Sequence, residues 1–219
     1  MVSFEELIAK RRSIQSYKDI PVEKAKWGKM LVAAGMAPSA GNLQNWRFIL
    51  VFDKEKIRKI SEYCFKQTWI SSAPFLVVVC SDTEQMRKYY GERGEHLYAI
   101  QNVAAATTLM MLAAEDMGLS TCWVGAFDEH SVGHMFMLPK WLRPVTILTV
   151  GYANEEKPVP QRQPVYRYTF IEGYGGSARI ADINGPFGNY SLLTKKRVDQ
   201  VKGFFGDIGS KIANALKGK

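Results

Sequence analysis

Cysteine and histidine are scarce in this 219-residue sequence, which has three of each. Cys64, Cys80 and Cys122 are an odd number at no metal-like spacing, which argues against a disulfide framework and favours buried thiols in a reducing compartment. His130 and His134 could share a helix face, but no further ligand follows at a zinc-like spacing, so we predict no metal site. No Ser–His–Asp arrangement stands out, and we assign no catalytic side chain.

The sequence also lacks a membrane signature. Its N-terminus has no basic segment followed by an apolar one, so we predict no signal peptide. No apolar run approaches the roughly 20 residues of a membrane span. These absences predict a cytoplasmic protein. The length suits one domain of ordinary size, and 47% hydrophobic residues are enough for a core.

The body of the chain has little net positive charge. The net charge is +8, but residues 195–219 hold +5 of it, from seven lysines and arginines against two aspartates. The rest is only mildly basic, so we predict no nucleic-acid-binding face. Apolar residues of the tail recur at three- and four-residue steps opposite lysines, which predicts an amphipathic helix: Val198, Val201, Phe205, Ile208, Ile212 and Leu216.

This predicted helix needs a surface to lie on, because Gly203, Gly206 and Gly209 weaken it. One candidate surface is the body of the protein or its dimer partner. The other is an anionic membrane, which suits a basic polar face with paired phenylalanines. Residues 166–219 are therefore interpreted as a C-terminal extension with two possible partners.

Hydrophobic periodicity predicts the helices and buried strands of the body. Ser3 and Glu6 have the spacing of a capping box, so a helix begins there. Further helices are predicted at 21–36, 54–65 and 98–117, and the last is apolar nearly all round and therefore buried. Strands are predicted at 48–52, 75–80 and 145–152.

Two polar segments are candidates for ligand binding. The loop before the first strand contains Ser39 and Asn42, which offer hydrogen bonds to a flat heteroaromatic ligand or, alternatively, satisfy their own backbone in a turn. Arg11, Arg12 and Ser13 combine two guanidinium groups with a hydroxyl, which suits a phosphate. The alternative is a solvated basic helix end, favoured by the helix dipole.

Several motifs in one order resemble the FMN-dependent nitroreductase family. They are Arg11-x-Ser13 with Tyr17, the loop 38–48, the helix 98–117 with Gly118 after it, the turn 121–128 and the step Gly151-Tyr152. The resemblance covers residues 6–164. It implies an α+β fold, with a central, mostly antiparallel sheet flanked by helices, in an intertwined homodimer. Residues 1–165 would form the FMN-binding domain.

The same resemblance implies the residues that bind FMN at each of two interfacial sites. The phosphate and ribityl end would be held by Arg11, Arg12, Ser13 and Arg162. The partner subunit would contribute Pro38, Ser39, Ala40 and Asn42. The ring would be lined by Gln15, Gln67, Trp123, Val124 and Gly125, with the backbone N–H of Gly125 reaching N5.

Two positions depart from the family pattern. Asn45 stands where the family usually has proline, which stiffens a turn, so we expect a looser loop. Gln15 stands where a second cation is expected, near the pyrimidine end of the flavin. A neutral glutamine adds no charge to stabilise reduced flavin, so we expect a lower potential unless another cation compensates.

The implied activity is transfer of hydride from NADH or NADPH, by a ping-pong mechanism, to a small-molecule electron acceptor such as a nitroaromatic or a quinone. A second hypothesis keeps the fold but changes the chemistry, to reductive dehalogenation or flavin fragmentation. The segment 82–97, as a mobile lid or a plain solvent-facing helix, would decide between these. A third hypothesis is a membrane-surface protein whose flavin is structural.

Overall fold

A computed structural model describes residues 3–174 of the chain. Within them the helices are α1 (Phe4–Lys10), α2 (Lys24–Gly35), α3 (Lys54–Tyr63), α4 (Thr83–Arg93), α5 (Ala99–Asp116) and α6 (Glu129–Met135), and the strands are β1 (Trp46–Val51), β2 (Phe75–Asp82), β3 (Ser120–Val124) and β4 (Leu142–Gly151). The chain divides into two compact units, one ending at Val159 and one beginning at Pro160. The predicted tail helix lies outside the described residues, and the domain boundary at 165 stays a prediction.

The four strands form one sheet in the order β1-β2-β4-β3, and every neighbouring pair is antiparallel. The predicted α+β fold with an antiparallel sheet is confirmed. The predicted capping box is also present, since the Ser3 hydroxyl accepts from the Glu6 N–H and the Glu6 carboxylate accepts from the Ser3 N–H. Helix α2 begins three residues later than predicted, at Lys24.

Helices cover both faces of the sheet because β2 buries side chains on both sides. Phe75, Val77 and Val79 belong to a core shared with α2 and α5. Leu76, Val78 and Cys80 belong to a second core shared with α3 and α6. Alternate residues of a strand point to opposite faces, so a continuous apolar run such as β2 must be covered twice.

Strand β3 was not predicted, because we interpreted residues 121–128 as a turn. It pairs with β4 at one edge of the sheet, from Ser120 opposite Gly151 to Val124 opposite Ile147. Strand β4 begins three residues earlier than predicted and includes Pro144. A proline fits there because the β2–β4 register shifts between Val79 and Cys80, where ladder bonding is already interrupted.

The segment 82–97 is helical from Thr83 onward. Its backbone therefore matches the helix that we gave as the alternative to a mobile lid. The Asp82 carboxylate caps α4 by accepting from the Gln85 N–H at 3.0 Å. Gly91 interrupts the helix with φ +60° and ψ −151°, a conformation open almost only to glycine. A π-helical turn, Gly94–Tyr98, then leads into α5. The role of this segment as a lid stays a prediction.

The helical stretch Thr83–Asp116 is long enough to span a membrane, and its most apolar 18 residues have a mean hydropathy of 1.4. It is the only such stretch in the described part of the chain. The core helix of a globular domain meets the same criteria, and 44% of its most apolar 18 residues are buried inside the protein. Val103, Ala106 and Met110 of α5 pack against α2 and the sheet. We therefore interpret α5 as the core helix that the sequence predicted.

Gly151→Ala should destabilise the fold. A Cβ there would lie 2.5 Å from Pro74 Cδ and 2.9 Å from Tyr17 Cδ1, and overpacking of this kind costs about 1–3 kcal/mol. Urea unfolding would measure the loss. Gly133→Ala in α6 is the control, since its Cβ would meet nothing within 4 Å and alanine favours a helix by up to about 1 kcal/mol. Equal stability of the two variants would contradict the prediction.

Candidate functional site

The basic cluster lies at the C-terminus of α1. Arg11 caps the helix, and its N–H donates to the Leu7 carbonyl at 3.1 Å. Arg12 turns back on the same helix end, where Nη1 donates to the carbonyls of Ala9 (2.6 Å) and Arg11 (2.7 Å). Its Nε is buried without a hydrogen-bond partner among the described residues. This cluster thus carries one donor that the described residues leave unsatisfied.

A carboxylate from α5 lies close to this cluster. Burial raises the pKa of Glu115, and the positive charges of Lys10, Arg11 and Arg12 partly offset this rise. The basic residues therefore lie near a buried acid. The interpretation as a purely solvated helix end is too simple.

The segment after the cluster runs along the free edge of β3. Ser13 forms a parallel bridge with Thr121, and the Ile14 N–H donates to the Thr121 carbonyl at 3.2 Å. Ile14 is buried, while Ser13 and Gln15 on either side of it are exposed. Tyr17 anchors the segment, since its hydroxyl donates to the Ile14 carbonyl at 2.7 Å. Ser13 and Gln15 consequently share the outer face of this edge.

Several polar and charged groups lie close to Cys122, which is a residue of β3. Burial raises the pKa of its thiol, whereas the charge of Lys157, a hydrogen bond from Ser13 and the charge of Arg11 act to lower that pKa. Arg11, Ser13 and Lys157 are therefore neighbours. A buried thiol with a raised pKa is a weak nucleophile, in line with our interpretation of Cys122 as a packing residue.

Two residues that sequence reasoning missed fix the Gln15 position. Glu155 Oε1 accepts from the backbone N–H of Gln15 (2.6 Å) and of Ser16 (3.0 Å). Lys157 Nζ donates to the Ser13 carbonyl (2.9 Å) and to Gln15 Oε1 (3.2 Å). No local signal could have found them, because they lie about 140 residues from these partners in an irregular loop.

The predicted ring-binding residues meet at the end of β3. Trp123 is 36% exposed, Val124 is buried, and Gly125 follows at the surface. Gln67 joins them, because its Nε2 donates to the Ala126 carbonyl at 3.2 Å and to the Cys64 carbonyl at 3.0 Å. The structure thus brings Gln67 next to the turn that follows β3, and its contact with the flavin ring stays a prediction.

The polar loop before β1 has an unusual backbone. Gly41, Asn42 and Gln44 all have positive φ, between 47° and 58°. The Ser39 hydroxyl accepts from the Gln44 N–H at 3.1 Å, and Gln44 Nε2 donates to Asn42 Oδ1 at 3.1 Å. Some of the polar side chains therefore form hydrogen bonds within the loop itself. This was our alternative to ligand binding for Ser39 and Asn42. Left-handed non-glycine residues store strain that often accompanies a binding function.

Asn45 corrects our expectation of a looser loop. Its side chain is fully buried, and Nδ2 donates to Ser81 Oγ at 2.8 Å. Its Oδ1 accepts from Asn102 Nδ2 at 2.7 Å, while Asn102 Oδ1 accepts from the Ala40 N–H at 3.0 Å. The loop is thus tied to β2 and α5 by hydrogen bonds in place of a proline ring. Sequence reasoning missed Asn102 in this role, because it lies 57 residues from Asn45 in the chain.

Within one chain, the polar loop and the residues at β3 lie at opposite edges of the sheet. The polar loop leads into β1, whereas Ser13, Gln15 and Trp123 lie at β3, the opposite edge of the sheet. Three interstrand spacings separate the edges, about 14 Å. Arg162 belongs to the second unit, so its part in the site stays a prediction.

The chain is similar to known proteins in both sequence and fold. A model of the nitroreductase family matches residues 8–72 and 65–152. The chain is 30% identical over 176 residues to an FMN reductase (NAD(P)H) of Bacillus subtilis, covering 74% of this chain and 71% of that protein. It is 30% identical over 185 residues to an NADH dehydrogenase of Thermus thermophilus, covering 72% and 90%.

The fold is also similar to a solved structure, an FMN-dependent nitroreductase from Clostridium difficile. The TM-score is 0.67 at 28% sequence identity, and the match covers 77% of this chain and 98% of the other.

Asn102→Ala should destabilise the polar loop. It leaves the Ala40 N–H and the buried Asn45 Oδ1 without their partner, and each unsatisfied buried group costs about 1–3 kcal/mol. Urea unfolding would show a lower free energy of unfolding. Thr108→Ala is the control, because the hydroxyl of this exposed α5 residue donates to the Ala104 carbonyl of its own helix and to no other described residue. A loss no greater than that of the control would refute the role.

Proposed function

This chain belongs to the nitroreductase family, and from that premise we propose that it is a cytoplasmic FMN-dependent oxidoreductase. NADH or NADPH would be the reductant, and a nitroaromatic or a quinone the acceptor, in a ping-pong sequence. The observation that carries the proposal is the convergence of Arg11, Ser13, Gln15 and Gln67 with the Trp123–Gly125 turn on one edge of the sheet.

The described residues fit FMN. Its phosphate requires cations and donors, and the cluster offers Arg11, the unpartnered Arg12 Nε and the exposed Ser13 hydroxyl. Its flat ring requires an open surface with nearby polar groups. The half-exposed Trp123 and the Gln67 side chain, held against Ala126, border such a surface.

We infer that two copies of the chain build each site. The polar loop lies at the β1 edge, about 14 Å across the sheet from the β3 edge. A loop from a second copy can reach the β3 edge without any rearrangement of the sheet. Pro38, Ser39, Ala40 and Asn42 would then complete the site of the other copy, in a homodimer.

The chain's own residues bind and orient, while the cofactor does the redox chemistry. When bound, FMN would supply the two-electron redox chemistry between the nicotinamide and the acceptor. Arg11, Arg12 and Ser13 hold the phosphate end. The Gly125 amide orients the ring, because glycine permits close approach of the backbone. Cys122 stays protonated and takes no part, and we assign no general acid among the residues that the structure describes.

Anaerobic NADH or NADPH should bleach the flavin absorbance of the purified, FMN-loaded protein. The bleaching should reverse when a nitroaromatic or a quinone is added, because the acceptor reoxidises the reduced flavin. Stopped-flow absorbance at the flavin band measures both half-reactions. A protein that takes up no FMN, or whose flavin neither nicotinamide reduces, would contradict the proposal. A flavin-bound monomer in sedimentation equilibrium would contradict the shared site.

Arg11→Ala should weaken FMN binding. A hydrogen bond from a charged donor contributes about 1.5–3 kcal/mol, so the dissociation constant should rise about 10- to 150-fold. Fluorescence titration of the apoprotein with FMN measures it. Arg58→Ala is the matched control, since Arg58 lies on α3 and pairs only with Glu55 and Glu62 among the described residues. Unchanged affinity in Arg11→Ala would remove Arg11 from the site.

A further inference from the structure

Position 15 of this chain carries no charge, yet a cation lies against it. Lys157 Nζ donates to Gln15 Oε1 at 3.2 Å and to the Ser13 carbonyl at 2.9 Å. Both Ser13 and Gln15 are exposed on the β3 edge. The ammonium group is therefore held at the surface that Gln15 borders, although it comes from the loop after β4.

The Lys157 ammonium has a fixed place because a carboxylate organises the loop. Glu155 Oε1 accepts from the backbone N–H of Gln15 and of Ser16, and lies 3.2 Å from Lys157 Nζ. The two N–H bonds hold the loop against the 13–16 segment. The side chains of Lys157 and Glu155 remain 29% and 30% exposed, so both are open to a ligand on this face.

We propose that Lys157 supplies the positive charge that Gln15 does not, and that it stabilises bound flavin in its reduced, anionic form. This proposal rests on the proposed function. A cation beside the pyrimidine end of a flavin attracts the charge that the ring gains on reduction, so it favours the reduced over the oxidised state. Glu155 opposes this effect in part, because its negative charge lies next to the ammonium.

The two charges predict opposite effects. Lys157→Met should weaken binding of reduced FMN about tenfold more than binding of oxidised FMN. For a two-electron couple, a tenfold change in this ratio corresponds to a potential lower by about 30 mV. Glu155→Gln should change the ratio in the other direction, and its amide oxygen can still accept the backbone N–H bonds. Lys157→Arg should keep the ratio of the unaltered protein, because it keeps the charge.

The experiment is an anaerobic titration of each apoprotein with oxidised and with dithionite-reduced FMN, combined with a dye-coupled measurement of the midpoint potential. Lys54→Met is the matched control. It removes the same charge, and Lys54, like Lys157, forms an ion pair with a carboxylate, that of Asp19 at 2.9 Å. Its two dissociation constants should not change. Urea unfolding of the apoproteins detects any variant that is merely destabilised.

Three results would overturn the proposal. An equal loss for oxidised and reduced FMN in Lys157→Met would assign Lys157 to the phosphate or to the loop structure. No change in either constant would remove it from the site. A shift of the same sign in Lys157→Met and Glu155→Gln would exclude an electrostatic effect. Failure of the unaltered protein to bind FMN in either state would instead refute the proposed function.

Discussion

The order of strands in the sheet is the constraint on which the arrangement of the site depends. An open sheet of four strands has two edges, and here they are β1 and β3. The covered, buried strands β2 and β4 hold these edges about 14 Å apart. We therefore propose that a cofactor bound by both the polar loop and the β3 edge takes them from two copies of the chain. Dimerisation is, on this proposal, a condition for building the site.

Polar side chains from distant parts of the chain position each half of the site. Asn102 holds the polar loop through the Ala40 N–H and Asn45, and Glu155 holds the 13–16 segment through the N–H groups of Gln15 and Ser16. Leaving such groups unsatisfied costs more than a typical hydrogen bond contributes. These contacts therefore determine where the proposed binding residues lie, in addition to stabilising the fold.

The parts of the fold that could be predicted are those in which local pattern and final environment agree. The apolar run of β2 and the nearly all-apolar α5 are buried wherever they pack. Strand β3 was missed because Ser120, Thr121 and Cys122 give no clear apolar alternation, and its pairing with β4 decides its conformation. The looser loop expected at Asn45 was wrong because its partners, Ser81 and Asn102, are far away in sequence.

The sequence alone, through motifs that resemble a known family, predicted the family and its α+β fold, and it contains the groups that we propose to bind a flavin. Only the tertiary structure decided how the groups combine. It separated the polar loop from the β3 edge, and it placed Lys157 and Glu155 on Gln15 across about 140 residues. Electrostatic interactions and hydrogen bonds depend on distance in space. For residues far apart in the sequence, the tertiary fold sets that distance.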